Sequence, residues 1–434
     1  MTRVIFHVDV NSAFLSWTAV RRLEDDPDSQ DLRLIPSAVG GDVETRHGVI
    51  TARSIPAKAY GVKTGEPVVK ALQKCPNLVL VPSEFATYRK YSRRFINILK
   101  SYTPNVEQAS IDEAYMDVTE LCLESGSSAF GKAAPEDDPV LANAIALAAG
   151  IRERIRTELK FTVNVGISEN KLLSKTASDF TKPDRTHVLL PSMIPEKLWP
   201  MDINELYGCG RKTAEKLRDS GIFTIGDAAH ADPELLRSLL GEKGSEYIHN
   251  AANGIDDSEV ITESAPAKSY SNEITLPEDL TAANYKEKAP EILGWLCRKV
   301  SGRLKKDGIT GETVTLIVKT SDFRRFTRQT RLPESTNEAG VLLECSSRLL
   351  QQISFGGKNA SAPGHLSSGG GYRLVGVGVS TLHDDSFRQV TLTDYMKTAE
   401  KENAEKEKRR RIDEALGKVR AKYGADSVKK GLLD

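Results

Sequence analysis

A chain of 434 residues is longer than one hydrophobic core ordinarily organises, so two to four domains are expected. Lys plus Arg and Asp plus Glu both number 60, which excludes a polycation or polyanion as a whole but leaves local patches open. The five cysteines form no Cys-x-x-Cys pair, which argues for reduced thiols rather than zinc, and no window approaches 18 apolar residues, so no membrane span is expected.

The N-terminus enters a strand without a basic leader and apolar run, so a soluble, cytoplasmic chain is expected. Val4-Ile5-Phe6-His7-Val8 reads as a buried strand that closes on Asp9. A smaller block follows that looks inserted, with strand-like Leu34 to Val39 and Gly48 to Thr51 and then short helices. Strand-like segments at 78–81, 106–109, 114–118 and 162–168 alternate with helical patterns at about 84–102 and 139–160. That is the outline of an α+β sheet with helices on one face. Residues 122–138 read as a surface loop, residues from Asn170 to about Gly254 as mostly helical, and 258–268 as a linker.

Residues 269–382 form a further mixed unit: helix from about Tyr285 to Lys306, strand from Thr313 to Thr320, helix from Glu338 to Ile353, strand from Tyr372 to Ser380. Residues 356–371, rich in Gly, Ser and Ala, read as a loop. Residues 268–382 carry 16 Lys and Arg against 11 Asp and Glu, a net of +5, with Arg298, Lys299, Arg303, Lys305, Lys306, Lys319, Arg324, Arg325, Arg328 and Arg331 clustered. Such a surface binds polyanions even in a neutral chain. The tail from about Thr398 is dense in charge and reads as a solvated helix or as disorder.

The acids carry the chemistry. Asp112 and Glu113 are adjacent between apolar, strand-like segments, where carboxylates cost free energy unless a cation or hydrogen bonds receive them. Asp9 equally fits as a cap of the helix that follows, and an Asp-Glu pair equally fits a solvated turn. Three carboxylates from two strands also suit a pair of Mg²⁺ ions, which take oxygen ligands and hold the attacking and leaving oxygens of a phosphoryl transfer.

Five segments, in order, give this pattern a family. Asp9-Val10-Asn11-Ser12-Ala13-Phe14, then 57–65 (Ala-Lys-Ala-Tyr-Gly-Val-Lys-Thr-Gly), Ser110-Ile111-Asp112-Glu113-Ala114, 165–171 (Val-Gly-Ile-Ser-Glu-Asn-Lys) and Lys182-Pro183 resemble the Y-family DNA polymerases over roughly residues 3–382. These lesion-bypass enzymes include the DinB and UmuC branches. The resemblance implies a right-hand polymerase of α+β multidomain class. Its palm, an antiparallel sheet plus helices, would take residues 1–20 and 78–168. Small fingers would take 21–77, a helical thumb 169–257, an α/β little finger 269–382 and a charged tail 383–434. A monomer is expected.

The resemblance also implies roles. Asp9, Asp112 and Glu113 would ligate two Mg²⁺, joined by the main-chain carbonyl of Val10. Phe14 falls at the steric gate against ribonucleotides, and the amides of Ser12, Ala13 and Phe14 at a helix start suit the incoming phosphate. Lys58 and Lys182 would bind the dNTP, and Val39, Thr51 and Gly65 would roof the templating base. In the thumb, 206–214 resembles a helix-hairpin-helix, with Gly208, Gly210, Lys212 and Thr213 beside a primer–template DNA phosphate. Arg324, Arg325, Arg328 and Arg331 suit sequence-tolerant backbone contacts. Gln389, Leu392 and Tyr395 resemble a peptide that docks on the sliding clamp, although Thr393 stands where Phe is usual.

One departure stands out. Where most DinB-like members grip the triphosphate with Tyr and Arg, this chain has Ile55 and Lys58, and Arg53 is placed to assist; Val10-Asn11 and Ala57-Lys58 look more like the UmuC branch, while the length and the later segments suit DinB as well. The reading is a low-fidelity translesion DNA polymerase. A catalytically impaired DNA-binding accessory of the same fold is the alternative that Ile55 and Lys58 motivate.

Overall fold

The computed structural model describes residues 3–41, 48–123, 138–263, 265–353 and 370–384. The chain divides into two compact units, residues 1–266 and 267–434. The first opens on β1 (Ile5–Val10), buried at all six residues, and α1 (Ala13–Asp25). β2 (Ser37–Gly40), β3 (Ile50–Arg53), α2 (Ile55–Ala59), α3 (Val68–Lys74) and β4 (Val79–Val81) follow. Next come α4 (Phe85–Lys100), β5 (Val106–Gln108), β6 (Glu113–Asp117), α5 (Thr119–Cys122) and α6 (Pro139–Leu159). β7 (Val163–Ser168), α7 (Lys171–Asp179) and β8 (Thr186–Val188) complete the sheet region, and α8 (Arg211–Arg218), α9 (Ile225–His230) and α10 (Pro233–Ala252) end the unit.

The main sheet has the order β5-β6-β1-β7-β8, antiparallel except for the parallel β7–β8 edge pair. It therefore continues past residue 168, the expected end of the palm, and is mixed rather than purely antiparallel. β4 departs from expectation as well. It pairs in parallel with β2, Ser37 opposite Val79, in a separate sheet of order β3-β2-β4. Parallel neighbours need a crossover connection, which α2 and α3 provide. A three-residue apolar run holds no information about which strand it will join.

Helices cover the main sheet on both faces, not one. Val4, Phe6, Val8 and Val10 share a core with α4 and α6 residues such as Phe95, Leu99, Ile151 and Ile155. The alternate residues Ile5, His7 and Asp9 point to the other face, where His7 meets Ser178 of α7 (His7 Nδ1 to Ser178 Oγ 2.7 Å). Gly166 makes that packing possible. A Cβ there would lie 2.0 Å from the Ser174 carbonyl oxygen and 2.5 Å from the Ser178 nitrogen. Gly166→Ala is expected to cost about 3 kcal/mol or more of stability, since α7 backbone cannot yield as a side chain would. Urea unfolding midpoints check this, and an unchanged midpoint refutes it.

The second unit runs β9 (Ser269–Leu280), α11 (Tyr285–Lys306), β10 (Ile309–Thr320), β11 (Arg325–Thr336), α12 (Ala339–Gln352) and β12 (Tyr372–Asp384). Its antiparallel sheet has the order β11-β10-β12-β9. Val314, Leu316, Val318, Val375, Val377 and Val379 pack on Leu293, Leu296, Val300 and Leu349 of the two helices. The sequence showed the two helices and the two central strands but neither edge strand. β9 and β11 carry Pro277, Pro333 and several charges, residues that edges tolerate and sequence patterns read as loop. Most of the loops expected at 122–138 and 356–371, and the tail beyond Asp384, lie outside the described residues. No helix among the described residues is long and apolar enough to cross a membrane.

Candidate active site

The register of β1 on β6 sets Asp9 directly opposite Glu113. Like charges in that relation repel, and two lysines answer them. Lys175 Nζ of α7 lies 2.5 Å from Glu113 Oε1, 3.6 Å from Asp9 Oδ2 and 3.5 Å from Asp179. Lys182 Nζ lies 2.8 Å from Asp9 Oδ2 and 2.9 Å from Asp179 Oδ1. Burial raises Asp9 to about 6, with Lys182 and Lys175 opposing the rise. Burial first, then the two lysines, push His7 well below its usual range, so it is neutral. Burial works against the charge on both lysines, yet the facing carboxylates outweigh it and hold each above its ordinary value.

Asp112 joins this pair through the backbone. The Val10 amide donates to the Asp112 carbonyl at 3.0 Å. Ser110 then organises the turn: its hydroxyl donates to Asp112 Oδ1 at 2.7 Å and accepts from the amides of Asp112 and Glu113. Asp9, Val10 and Asp112 line one pocket, but Glu113 faces Lys175 beside it. Among the described residues no three acids, histidines or cysteines form a ready-made cation cage. Asp9 and Asp112 thus share the pocket, while the Glu113 carboxylate, opposite Asp9 on β6, is engaged by Lys175.

A network the sequence did not announce steadies the floor. Asn11 Nδ2 donates to Asn164 Oδ1, while Asn11 Oδ1 accepts from Thr162 and from the Asp184 amide. Asn164 donates to the carbonyls of Ser178 and Thr181. Two buried amides therefore tie β1 and β7 to the segment that carries Lys182, and buried amides hold position strongly because leaving them unpaired is costly. A polar residue in the middle of an otherwise apolar strand was the available signal.

The pocket is about 380 Å³ and is lined by residues 9–14, 51–55, Lys58, Thr64, Asp112, Lys182 and Pro183. Ser12, the residue before α1, has φ 47°, a left-handed conformation that costs a non-glycine residue about 1 kcal/mol. Its side chain does not cap the helix, so the first-turn amides that follow have no helical acceptor and face the pocket. Phe14 is half-buried and stacks on Tyr88, ring centroids 4.6 Å apart at 17°. Thr51, Lys58 and Lys182 are among the residues that line this pocket.

Val39 and Gly65 are not. Val39 is fully buried against Leu15, Ala19, Leu32 and Ala52, a core position rather than a pocket wall. Gly65 lies in a turn with φ 86°, which is reason enough for a glycine. Arg53 does line the pocket. One guanidinium nitrogen donates to Thr64 Oγ1 at 3.0 Å, and its buried Nε has no partner.

The expected DNA contacts divide by unit. In the first, Gly208 has φ 82°, and a Cβ there would collide with Tyr247, whose hydroxyl donates to the Tyr207 carbonyl at 2.9 Å. Gly210 precedes α8, with Lys212 exposed and Thr213 partly so in its first turn. In the second, the four arginines do not share a face. Arg325 and Arg331 alternate with Phe326 and Leu332, which pack on the core, whereas Arg328 falls in the core-side register, and Arg324 precedes β11. Arg325 pairs with Glu273, Arg331 with Glu312 and Arg324 with Asp322. Gln389, Leu392 and Tyr395 lie outside the described residues.

The fold matches a solved Y-family DNA polymerase chimera with a TM-score of 0.69 at 23% identity, covering 87% of this chain and 98% of that one. The architecture is thus the α+β, multidomain fold of that polymerase. Sequence comparison narrows this. The impB/mucB/samB family matches residues 8–179, its C-terminal domain residues 267–392, and the family's helix-hairpin-helix motif residues 191–222. DNA polymerase IV of Clostridium acetobutylicum is 37% identical over 433 residues, covering 100% of this chain and 98% of that protein. DNA polymerase IV 1 of Bacillus subtilis is 33% identical over 433 residues, 99% of this chain and 93% of its own length. The chain belongs to the impB/mucB/samB family of Y-family, DinB-type DNA polymerases.

Proposed function

We propose that this chain extends a primer on damaged templates through the pocket at the end of β1, and that its own residues divide the work as follows. The donor set fits a hard cation: carboxylate oxygens of Asp9 and Asp112 and the Val10 carbonyl, at a pocket open enough for phosphates. Two Mg²⁺ ions there would neutralise the triphosphate and acidify the primer 3′-hydroxyl. Glu113 joins the set when it leaves Lys175. Lys182, 2.8 Å from Asp9 at the same pocket, would carry charge to a bound triphosphate. The first-turn amides of α1 receive phosphate oxygens. The Phe14 ring, fixed by Tyr88, lies where a 2′-hydroxyl would have neither room nor partner.

Arg53 supplies the fork that Lys58 lacks. Arg53 lines the pocket with its guanidinium held by Thr64 Oγ1, whereas Ile55 has no donor to offer. Arg53→Ala is expected to raise nucleotide KM roughly tenfold to hundredfold, the worth of one charge-assisted hydrogen bond. Steady-state primer extension reads this, and an unchanged KM removes Arg53 from the site.

Two of the three β3 residues at the pocket, Thr51 and Ala52, have short side chains. A wall of that kind tests base-pair shape weakly, which suits bypass and error alike. The helix-hairpin-helix glycines and the arginines of the second unit hold DNA by its phosphates. Docking on the sliding clamp through Gln389, Leu392 and Tyr395 is part of this reading and rests on sequence alone. One observation carries the whole: Asp9 stands opposite Glu113, and its neighbour Val10 bonds the Asp112 carbonyl, at a pocket that Phe14 also lines. Primer extension with Mg²⁺ on undamaged and adducted templates tests it; DNA binding without extension would favour the accessory role.

A further inference from the structure

The scheme above leaves the most enclosed cation of the site unused. Lys175 projects from the middle of α7, its side chain 11% exposed, and its ammonium sits among three carboxylates. Its shortest contact is with Glu113, the one acid of the trio that does not line the pocket. Lys182 reaches Asp9 from the solvent side and is three times as exposed. Asp179, one turn along α7 from Lys175, lies 3.5 Å from its ammonium and offers a second carboxylate to move to.

We propose that Lys175 is a tethered counter-ion that holds Glu113 out of the pocket until a divalent cation takes the carboxylate from it. Lys175 is in this sense a positioning residue. Like charges oppose one another most strongly at short range in partly buried surroundings, so the ammonium and the cation compete for the same oxygens. The lysine keeps the facing acids neutralised while no cation is bound, and it lowers cation affinity in doing so. Its flexible four-carbon stem allows withdrawal toward Asp179. The inference rests on the assignment of Asp9, Asp112 and Glu113 as the cation site.

Mn²⁺ titration of the DNA-free protein, by calorimetry and by the shift in Tm, tests it. Asp112→Asn serves as the control for the site. Lys175→Gln is expected to bind Mn²⁺ about tenfold more tightly than the unaltered protein, to melt lower in chelator, and to gain more Tm from Mn²⁺. Lys175→Arg keeps the charge but grips carboxylate with two donors, so it is expected to bind Mn²⁺ more weakly. Equal or weaker binding by Lys175→Gln overturns the proposal. If that variant does not fold, equal or tighter binding by Lys175→Arg overturns it. Should the unaltered protein show no Mn²⁺ binding that Asp112→Asn removes, the site assignment itself fails and takes this inference with it. Tighter binding by a lysine-free variant is not what loss of a merely structural residue produces.

Discussion

Asp112→Asn is expected to lower the rate of primer extension by about 10³-fold or more while leaving affinity for primer–template DNA unchanged. The size follows from charge. Removing one ligand carboxylate weakens the stabilisation of a reaction in which negative charge develops on phosphate oxygens, an effect of several kcal/mol, and each 1.36 kcal/mol is tenfold in rate. Asp112 is the cleanest acid to change. Among the described residues it has no ion pair, and its carboxylate accepts from Ser110 Oγ, a bond the asparagine amide oxygen can still receive. Asp9→Asn would be less clear, because it strips Lys182 of its nearest carboxylate and so disturbs the fold of the site along with its chemistry. Single-turnover extension and a DNA-binding isotherm on the same preparation give both numbers. Extension within tenfold of the unaltered rate sinks the assignment.

Phe14→Ala is expected to reduce discrimination against ribonucleotides by about 10²-fold or more, read as the ratio of kcat/KM for dNTP and rNTP. The ring acts by occupying space, and alanine leaves that space open. Its stack on Tyr88 means that the change also costs stability, about 2 kcal/mol for a half-buried aromatic. The two effects separate readily. Lost stability lowers the active fraction for both sugars alike, whereas a lost gate changes their ratio. An unchanged ratio dismisses Phe14 as the gate.

Much of this site is legible before any coordinates are known, and the reasons are local. An apolar run that reaches Asp9 reads as a buried strand that brings a carboxylate to its end, and β1 is buried along its whole length. The adjacent acids of 112–113 between apolar segments need an electrostatic partner wherever they lie. Helices such as Tyr285–Lys306 declare themselves by periodicity, and that span is the one observed. What stayed hidden depends on pairing across long stretches of chain. Lys175 is one lysine in a short helix, and nothing in Lys-Leu-Leu-Ser-Lys-Thr-Ala-Ser-Asp says that its ammonium meets, besides Asp179 one turn on, two acids from the strands β1 and β6. Val39 is small and apolar, which suits a pocket roof and a core equally, and only the fully buried β2 decides for the core. Gly166 was visible as part of a motif, but the need for glycine there is a distance to the Ser174 carbonyl, which no pattern of letters states.

The paired amides of Asn11 and Asn164 have a consequence for how errors arise. They tie the segment before Asp184 to the centre of the main sheet, so the floor that the proposed nucleotide site would use is held in place by the chain's own bonds. An enzyme that clamps down on its substrate gains a second inspection from the movement itself, since an ill-shaped pair hinders the clamp. A fixed platform forgoes that checkpoint. Tolerance of distorted templates is then the ordinary behaviour of a stiff floor, and it needs no special device for each kind of damage.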